Sequence, residues 1–220
     1  RWLVTLLMTT ALENVPQILI FFRNVNTLAD AFAYVTVNSG QVPGNPNSCL
    51  AMFHLNTLAD IKRQVLADLS RKDGKLKVVF CTSSLSMGMN LAMIEYVLHY
   101  APPLSSDAFF QETGRAGREP DLMCHSILLT YPRMFSGCKP DDTMPKYAKS
   151  DDGCLREIIL SRFNTTKPSD QTRCCMRCHP DTPCNILSFI EQSFDSSLTE
   201  SISDTDSVAS LESIESIPDM

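Results

Sequence analysis

Two arginines set three residues apart in a glycine-containing segment are the side chains with the most specific chemistry. The segment reads Gln111-Glu112-Thr113-Gly114-Arg115-Ala116-Gly117-Arg118. Its glycines, Gly114 and Gly117, let the backbone turn tightly and approach a phosphate. Arg115 and Arg118 on such a loop can neutralise the charge of a transferring phosphoryl group, as an arginine finger does. The alternative is a solvated surface turn, in which Gly and Arg are also common.

Five clustered cysteines form a second candidate site: Cys154, Cys174, Cys175, Cys178 and Cys184. The pair Cys175 and Cys178 has the C-x-x-C spacing with which two thiolates bind one Zn²⁺. Four ligands are enough, so we expect Cys154, Cys175, Cys178 and one of Cys174 or Cys184, with His179 as a substitute. The alternative is a set of buried free thiols. We expect that simpler state for Cys49, Cys81, Cys124 and Cys138.

Strand and helix patterns alternate before the cysteines. Apolar runs predict strands within 16–22, 52–55, 76–81, 94–100 and 124–131. Helical spacing predicts helices over 24–37 and 57–71, the second capped by Thr57, and a helix over 105–113. This βαβ order predicts an α/β fold with a mostly parallel sheet sandwiched by helices.

Composition divides the chain into four parts. We expect an α/β domain at 1–138, a polar linker at 139–152, a small helical zinc-binding unit at 153–185 and an acidic, Ser-rich tail at 186–220. The tail lacks the large apolar groups that offset chain entropy, so it is predicted to be disordered. A weak helix near 202–217 could form on a protein partner.

Charge and cysteine content indicate which partners and which cellular location are compatible with this sequence. The 220 residues carry 19 basic and 25 acidic side chains, but nine of the acids follow Cys178, where Lys and Arg are absent. The preceding part is therefore mildly basic, which permits nucleic-acid binding. Nine cysteines without an apparent secretory signal indicate a reducing, intracellular location. No apolar run is long enough to predict a membrane span. Because the first residue is Arg1, we interpret the sequence as a fragment or a truncated gene model.

The order of these segments resembles a known family of motor proteins. Residues 79–90 form a strand ending in a small-residue loop, 97–103 follow, and then comes the Gln-Glu-Thr-Gly-Arg loop. This order is similar to the second RecA-like domain of superfamily 2 helicases, in particular the RecQ family of DNA helicases, over residues 16–184. The resemblance therefore implies a helicase C-terminal RecA-like domain that acts on DNA without reading its sequence.

The resemblance also implies a role for individual residues. Arg118 would be the arginine finger and Arg115 the second nucleotide-facing arginine. Coupling of the nucleotide site to DNA would involve Gln111, Glu112, Gly114, Gly117, Gly88 and Asn90. Contacts to DNA would come from Thr82, Ser83 and His54. The segment from Cys154 to Phe163 is similar to the helix that begins the RecQ zinc-binding subdomain.

Other family motifs are missing from the sequence. It contains no G-x-x-x-x-G-K-[ST] phosphate loop and no Asp-Glu-x-His or Asp-Glu-Ala-Asp run for Mg²⁺. In the family, both lie on the first RecA-like domain. We therefore expect ATP and Mg²⁺ to be bound only together with that missing N-terminal domain, and this chain alone to be inactive.

Three hypotheses follow. The first is part of an ATP-dependent 3′-to-5′ DNA helicase of RecQ type that unwinds DNA in repair and recombination. Such a protein would be expected in the nucleus, or at the nucleoid or in the cytoplasm of a prokaryote. The second is a motor-less, zinc-stabilised module that binds DNA. The third is a zinc-stabilised interaction domain whose acidic tail recruits a protein partner.

Overall fold

The computed structural model describes residues 1–42, 45, 48–86, 91, 93–118, 122–166, 174–200 and 215–218. The helices are α1 (Trp2–Thr9), α2 (Val25–Asn38), α3 (Ala59–Leu69), α4 (Ser106–Thr113), α5 (Thr143–Lys149), α6 (Leu155–Ser161) and α7 (Asn185–Glu200). The strands are β1 (Ile18–Phe21), β2 (Leu50–Phe53), β3 (Val78–Cys81), β4 (Tyr96–His99), β5 (His125–Leu128) and β6 (Glu215–Pro218).

Five parallel strands form the centre of the molecule in the order β2-β3-β1-β4-β5, and β6 lies antiparallel to β5. The residues of β1, β3, β4 and β5 are all buried. Strands buried on both faces read as unbroken apolar runs, which is why the sequence shows runs rather than alternation. The predicted α/β fold with a parallel sheet is confirmed.

Side chains of successive strand residues enter separate cores on the two faces of the sheet. The first-face core contains Ile18 and Ile20 of β1 together with residues of α1, α2 and α7. The second-face core contains Leu19 and Phe21 of the same strand together with residues of α3. Because side chains alternate along a strand, the four residues of β1 contribute two side chains to each of the two cores. This central strand therefore holds the helices of both faces in place.

A third group, the cysteine-unit core, lies beyond β5. It joins Phe109 of α4 to buried residues of α5 and α6 and to the cysteines: Leu128, Met134, Met144, Tyr147, Ala148, Cys154, Leu155, Ile159, Cys174 and Cys175. The helix that precedes the arginine loop is thus packed directly on the cysteine-containing unit.

The segment 139–152, expected to be a polar linker, contains helix α5. Met144, Tyr147 and Ala148 are buried on one side of this helix, at positions i, i+3 and i+4. Asp141 supports its start, because its Oδ1 atom accepts hydrogen bonds from the amides of Thr143 and Met144 at 3.1 and 2.9 Å. The charged residues around this apolar face concealed the helix from an argument based on composition.

The first part of the expected disordered tail is also helical. Ile186, Leu187 and Ile190 of α7 are buried in the first-face core with Leu3 and Leu6 of α1. Their burial supplies the apolar contacts that were expected to be missing from this segment. Residues 201–214 and 219–220 lie outside the described residues.

Thr57 does not cap α3 with its side chain. Leu58 occupies the N-cap position, and its side chain makes no capping hydrogen bond. The Thr57 hydroxyl instead accepts a hydrogen bond from the amide of His54 at 3.0 Å, which closes the turn after β2. Within the described residues, no helix has the length and apolar content needed to cross a bilayer.

Candidate nucleotide and nucleic-acid interface with a cysteine cluster

The candidate interface follows one row of residues at the carboxyl ends of four parallel strands. Phe53, Cys81, Phe21 and His99 end β2, β3, β1 and β4, and the strand pairing places them in register. Chain segments that leave such an edge are the usual binding elements of parallel α/β sheets. The residues expected to contact DNA are in these segments.

The predicted DNA-contacting residues are close to neighbouring strand ends. His54 follows β2 directly, and Thr82 and Ser83 follow β3. The Thr82 amide donates to the carbonyl of Phe53 at 3.2 Å, which ties the two segments together. Ser83 is exposed, and Thr82 and His54 are partly exposed. Their hydroxyl and imidazole groups can therefore reach a phosphate backbone. Gly88 and Asn90 lie outside the described residues.

A cavity of about 190 Å³ opens at the same edge, where the chain leaves β1 and β4. We call it the carboxyl-edge cavity; its lining includes Phe21, Arg23, Ser83, His99, Leu104 and Glu112. The connection from β1 leads towards β2, whereas that from β4 leads towards β5 on the other side. Such a divergence creates a crevice at the edge of the sheet.

The arginine loop begins where α4 ends. Gly114 closes the helix with a hydrogen bond from its amide to the carbonyl of Phe110 at 3.0 Å. The Arg115 amide donates to the carbonyl of Glu112 at 3.2 Å, and Gly117 has a φ of +71°. Such a positive φ is costly for residues with a Cβ atom. Gly117 therefore permits the turn that separates Arg115 from Arg118.

The two arginines differ in exposure. The side chain of Arg115 is buried, whereas Arg118 is exposed and its Nε atom donates to the carbonyl of Gly114 at 3.1 Å. Burial, and then the positive charge of Arg118, lower the pKa of the Arg115 guanidinium. An anion beside this pair would relieve both the burial cost and the repulsion. The loop is thus suited electrostatically to a phosphate group.

Gln111 and Glu112, which were predicted to couple the nucleotide site to DNA, differ in their exposure to solvent. Gln111 is exposed on α4, where it is free to face a ligand or another domain. Glu112 is buried, and its Oε2 atom lies 3.0 Å from Nε2 of His99. The carboxyl-terminal turn of α4 therefore carries a buried carboxylate bonded to an imidazole, and the two arginines follow that turn in the chain.

Four cysteines from the predicted set cluster in the structure. The Sγ atoms of Cys154, Cys174, Cys175 and Cys178 all lie within 4.8 Å of one another. The Sγ–Sγ distances are 3.3 Å for Cys154–Cys174 and 3.7 Å for Cys175–Cys178. Tetrahedral zinc with Zn–S bonds of about 2.3 Å requires Sγ–Sγ distances of about 3.8 Å. The cluster could bind a metal ion, and its donor set suits zinc or an iron–sulfur centre.

Burial and local hydrogen bonds change the pKa values of two thiols in this cluster. Burial raises the pKa of the Cys175 thiol, but hydrogen bonds from backbone amides of Cys178, Leu155 and Arg177 help to lower it overall. For Cys174, burial and then its hydrogen bond with Cys154 raise the pKa to about 12. A bound cation would favour the thiolate form of both groups.

Cys184 is outside the four-cysteine cluster. It is partly buried against the first-face core, close to Tyr96, whose pKa is raised by burial and then by Cys184. The sequence had left Cys174 and Cys184 as alternatives, and the structure favours Cys174. His179 is likewise absent from the cluster formed by the described residues.

Comparison with known proteins identifies the family of this chain. The family model described as helicase conserved C-terminal domain matches residues 1–119. The chain belongs to this helicase C-terminal domain family. The matched region contains four of the five parallel strands, β1 to β4, and extends through the arginine loop.

Several relatives of this helicase C-terminal domain are RecQ proteins. The chain is 27% identical over 158 residues to the ATP-dependent DNA helicase RecQ of Haemophilus influenzae, covering 64% of this chain and 23% of the relative. It is 32% identical over 143 residues to RecQ of Pasteurella multocida, covering 57% and 21%. The predicted resemblance to RecQ-type helicases is confirmed, and the chain spans about a fifth of the length of these relatives.

A solved helicase structure shows a weaker likeness. The DUF1998 helicase MrfA bound to DNA and AMPPNP has a TM-score of 0.49 and 18% sequence identity to this helicase C-terminal domain. The alignment covers 73% of this chain and 20% of that chain.

Three residues of the site were not singled out from the sequence. His99 contacts Glu112, Asp141 bonds to the start of α4, and Arg177 of the C-x-x-C segment donates to Ser150 and to the carbonyl of Asp152. Each of these contacts spans 13 or more residues along the sequence. The sequence shows that Arg177 lies between the candidate ligands Cys175 and Cys178. It does not show that Arg177 forms hydrogen bonds with Ser150 and Asp152.

Proposed function

We propose that this helicase C-terminal domain is part of an ATP-dependent, RecQ-type DNA helicase with 3′-to-5′ polarity that acts in repair or recombination. The observation that supports the proposal is the arginine loop beside the carboxyl edge of the sheet. A buried arginine and an exposed one follow the same helix end, and the turn that follows β3 contacts α4.

In this mechanism Arg118 reaches the transferring phosphoryl group and Arg115 holds a neighbouring phosphate oxygen. Charge stabilisation of this kind contributes about 10³–10⁵ in rate where an arginine finger has been measured. The sequence has no phosphate loop, so ATP and Mg²⁺ would bind on a second RecA-like domain facing this one. This chain would contribute the two cations and the DNA contacts of Thr82, Ser83 and His54.

DNA would bind through its phosphates, without sequence readout. Hydroxyls and the imidazole at the carboxyl edge offer hydrogen bonds of the kind that position a nucleic-acid backbone. Binding by this chain should weaken as salt concentration rises, because phosphate contacts release counterions. The acidic tail at 186–220 would recruit a protein partner, and most of the segment near 202–217 that was expected to form a helix on that partner lies outside the described residues.

The four-cysteine cluster would hold a structural zinc ion. The burial of three of its four cysteines in the core with α5 and α6, and its set of four sulfur donors, support this assignment. When bound, zinc supplies cross-linking rather than chemistry on a substrate, since all four positions would be filled by protein. Removal of the metal should therefore loosen the cysteine-unit core, on which α4 is packed.

The finger assignment is tested by Arg118→Ala in a protein that joins this chain to a RecA-like ATP-binding domain. DNA-stimulated ATP hydrolysis should fall by about 10³-fold or more, with ATP binding largely retained. Arg63→Ala is the matched control, because Arg63 is equally cationic but its side chain is exposed on α3, beside Asp60. Unchanged turnover in Arg118→Ala would exclude Arg118 as the finger.

A further inference from the structure

The hydrogen bond between His99 and Glu112 is the strongest feature that the proposed function does not use. Both side chains are buried, with exposures of 1% for His99 and 6% for Glu112. The imidazole comes from the last residue of β4, and the carboxylate from the last turn of α4. The bond therefore joins the sheet to the helix that carries the arginine loop.

The imidazole is held in a fixed orientation. His99 stacks on Phe21, with ring centres 5.4 Å apart and an interplanar angle of 18°. The ring of Phe109 in α4 packs against the same imidazole, with ring centres 4.9 Å apart. These rings leave Nε2 directed at Glu112, since that atom lies 3.0 Å from the carboxylate oxygen. Packing alone would accept a phenyl ring here, but it would not satisfy the carboxylate.

Glu112 passes this constraint to the arginine loop through its own backbone. Its carbonyl accepts the hydrogen bond from the amide of Arg115 at 3.2 Å. The next amide, of Ala116, donates to the carbonyl of Thr113 at 3.1 Å. A displacement of Glu112 would therefore displace the start of the loop with it.

A buried carboxylate strongly disfavours losing its partner. Without the imidazole, the buried side chain of Glu112 would lose its hydrogen-bond partner, which is costly for a buried polar group. The end of α4 would then lose this link to β4. A misplacement of about 1 Å at a catalytic group can cost about 10²-fold in rate.

We propose that His99 is a positioning residue that holds the arginine loop in place through its hydrogen bond to Glu112. His99 does not contact the phosphoryl group in this scheme; it acts only through Glu112 and the backbone that follows. The catalytic consequence rests on the proposed helicase function. The structural consequence, order in residues 114–116, does not.

Amide hydrogen exchange of the 220-residue chain, without ATP or DNA, tests the structural part directly. His99→Phe keeps the ring stack and removes the hydrogen bond. His99→Gln keeps an amide nitrogen near the position of Nε2. We expect the amides of Arg115 and Ala116 to exchange at least about tenfold faster in His99→Phe and at nearly the original rate in His99→Gln. The amide of Ile20 in β1 reports global stability and should not change.

A second pair of variants keeps the test decisive if His99→Phe does not fold. His99→Asn and His99→Gln are similar in polarity, but only the longer Gln side chain reaches Glu112. Faster exchange at Arg115 in the Asn variant than in the Gln variant would support the proposal. Equal exchange in the two variants, or unchanged exchange in a folded His99→Phe protein, would overturn it.

The activity measurement separates this proposal from the helicase function. In the protein joined to an ATP-binding domain, His99→Phe should lower kcat of DNA-stimulated ATP hydrolysis by about 10–100-fold, with KM for ATP unchanged, and His99→Gln should restore most of it. If even the unaltered protein hydrolyses no ATP, the helicase function fails, while the exchange result still decides the role of His99.

Discussion

Replacing Asp141 should destabilise two helices together, because its carboxylate bonds to the beginnings of both α4 and α5. Oδ2 accepts hydrogen bonds from the amide and the hydroxyl of Ser106, each at 2.6 Å. Oδ1 accepts from the amides of Thr143 and Met144 at 3.1 and 2.9 Å. One side chain thus satisfies three of the helix amides that have no partner within their own helices.

The magnitude follows from the value of a helix cap. Loss of one such cap costs about 0.5–2 kcal/mol. Asp141 serves two helices but is partly exposed, so water would replace some of the lost bonds. We therefore expect Asp141→Ala to lower the free energy of unfolding by ~2 kcal/mol. Asp141→Asn retains one amide-compatible oxygen and should lose ~1 kcal/mol.

The effect should depend on pH. Burial alone would raise the pKa of Asp141, but the hydrogen bonds from Ser106, Met144 and Thr143 lower it below its ordinary value of 3.8. A carboxyl whose pKa is lower in the folded state stabilises the protein above its unfolded pKa, and this stabilisation is lost as the pH falls through the folded value. The gap between the original protein and Asp141→Ala should therefore be full at pH 7 and narrow as the pH falls below the ordinary value of 3.8.

Urea unfolding followed by circular dichroism measures this gap at each pH. Asp142→Ala is the matched control, since Asp142 occupies the N-cap position of α5 without a capping hydrogen bond from its side chain. It should change stability by less than about 0.5 kcal/mol. The reasoning is refuted if the two alanine variants are equally stable at pH 7, or if the deficit of Asp141→Ala persists undiminished in acid.

Three further changes test other parts of the structure. Cys174→Ser should abolish stoichiometric zinc binding, measured by metal analysis of the purified chain, whereas Cys184→Ser should retain it; equal zinc content in both would contradict the four-cysteine site. Ile190→Ala should cost about 2–4 kcal/mol in urea unfolding, because Ile190 is fully buried; a neutral effect would show that α7 is not packed on α1. Gly117→Ala should slow DNA-stimulated ATP hydrolysis, since a Cβ atom disfavours φ of +71°, while ATP hydrolysis at the original rate would mean that the loop tolerates another turn.

The parallel sheet could be predicted because its strands are buried on both faces. Apolar runs at 16–22 and 76–81 contain β1 and β3, and the helical spacing over 24–37 and 57–71, between those runs, indicated crossover connections. The burial itself supplies the signal, since most positions of such strands are apolar. The ends were less certain, as the start of α3 at Ala59 rather than Thr57 shows.

Helices α5 and α7 could not be predicted, because their stability comes from partners distant in sequence. The apolar face of α7 is short, and it packs on α1, which begins at the other end of the chain. The two lysines of α5 and the charged residues on either side of it make this part of the sequence look polar, although Tyr147 is fully buried. Short helices depend more on such packing than on intrinsic propensity.

The candidate site was predictable only where the motif itself fixes the residues. Arg115 and Arg118 share one loop, so spacing alone placed them together. Cys174 and Cys184 had equal standing until the fold put Cys184 beside Tyr96 and not beside the other thiols. His99 carries no local signal, because its relation to Glu112 depends on how α4 returns to the end of β4.

The C-x-x-C segment belongs to two cores at once, which links metal affinity to the unfolding of the whole sheet. Cys174 and Cys175 lie in the cysteine-unit core, whereas the next residue, Met176, packs on the first-face core. A metal ion that binds only the folded cluster would add RT ln(1 + [metal]/Kd) to the stability of both, about 2.7 kcal/mol at a hundredfold excess over Kd. The melting temperature of the parallel sheet should then rise with the free zinc concentration. The stability of the whole α/β domain would therefore depend on how much zinc is available to it.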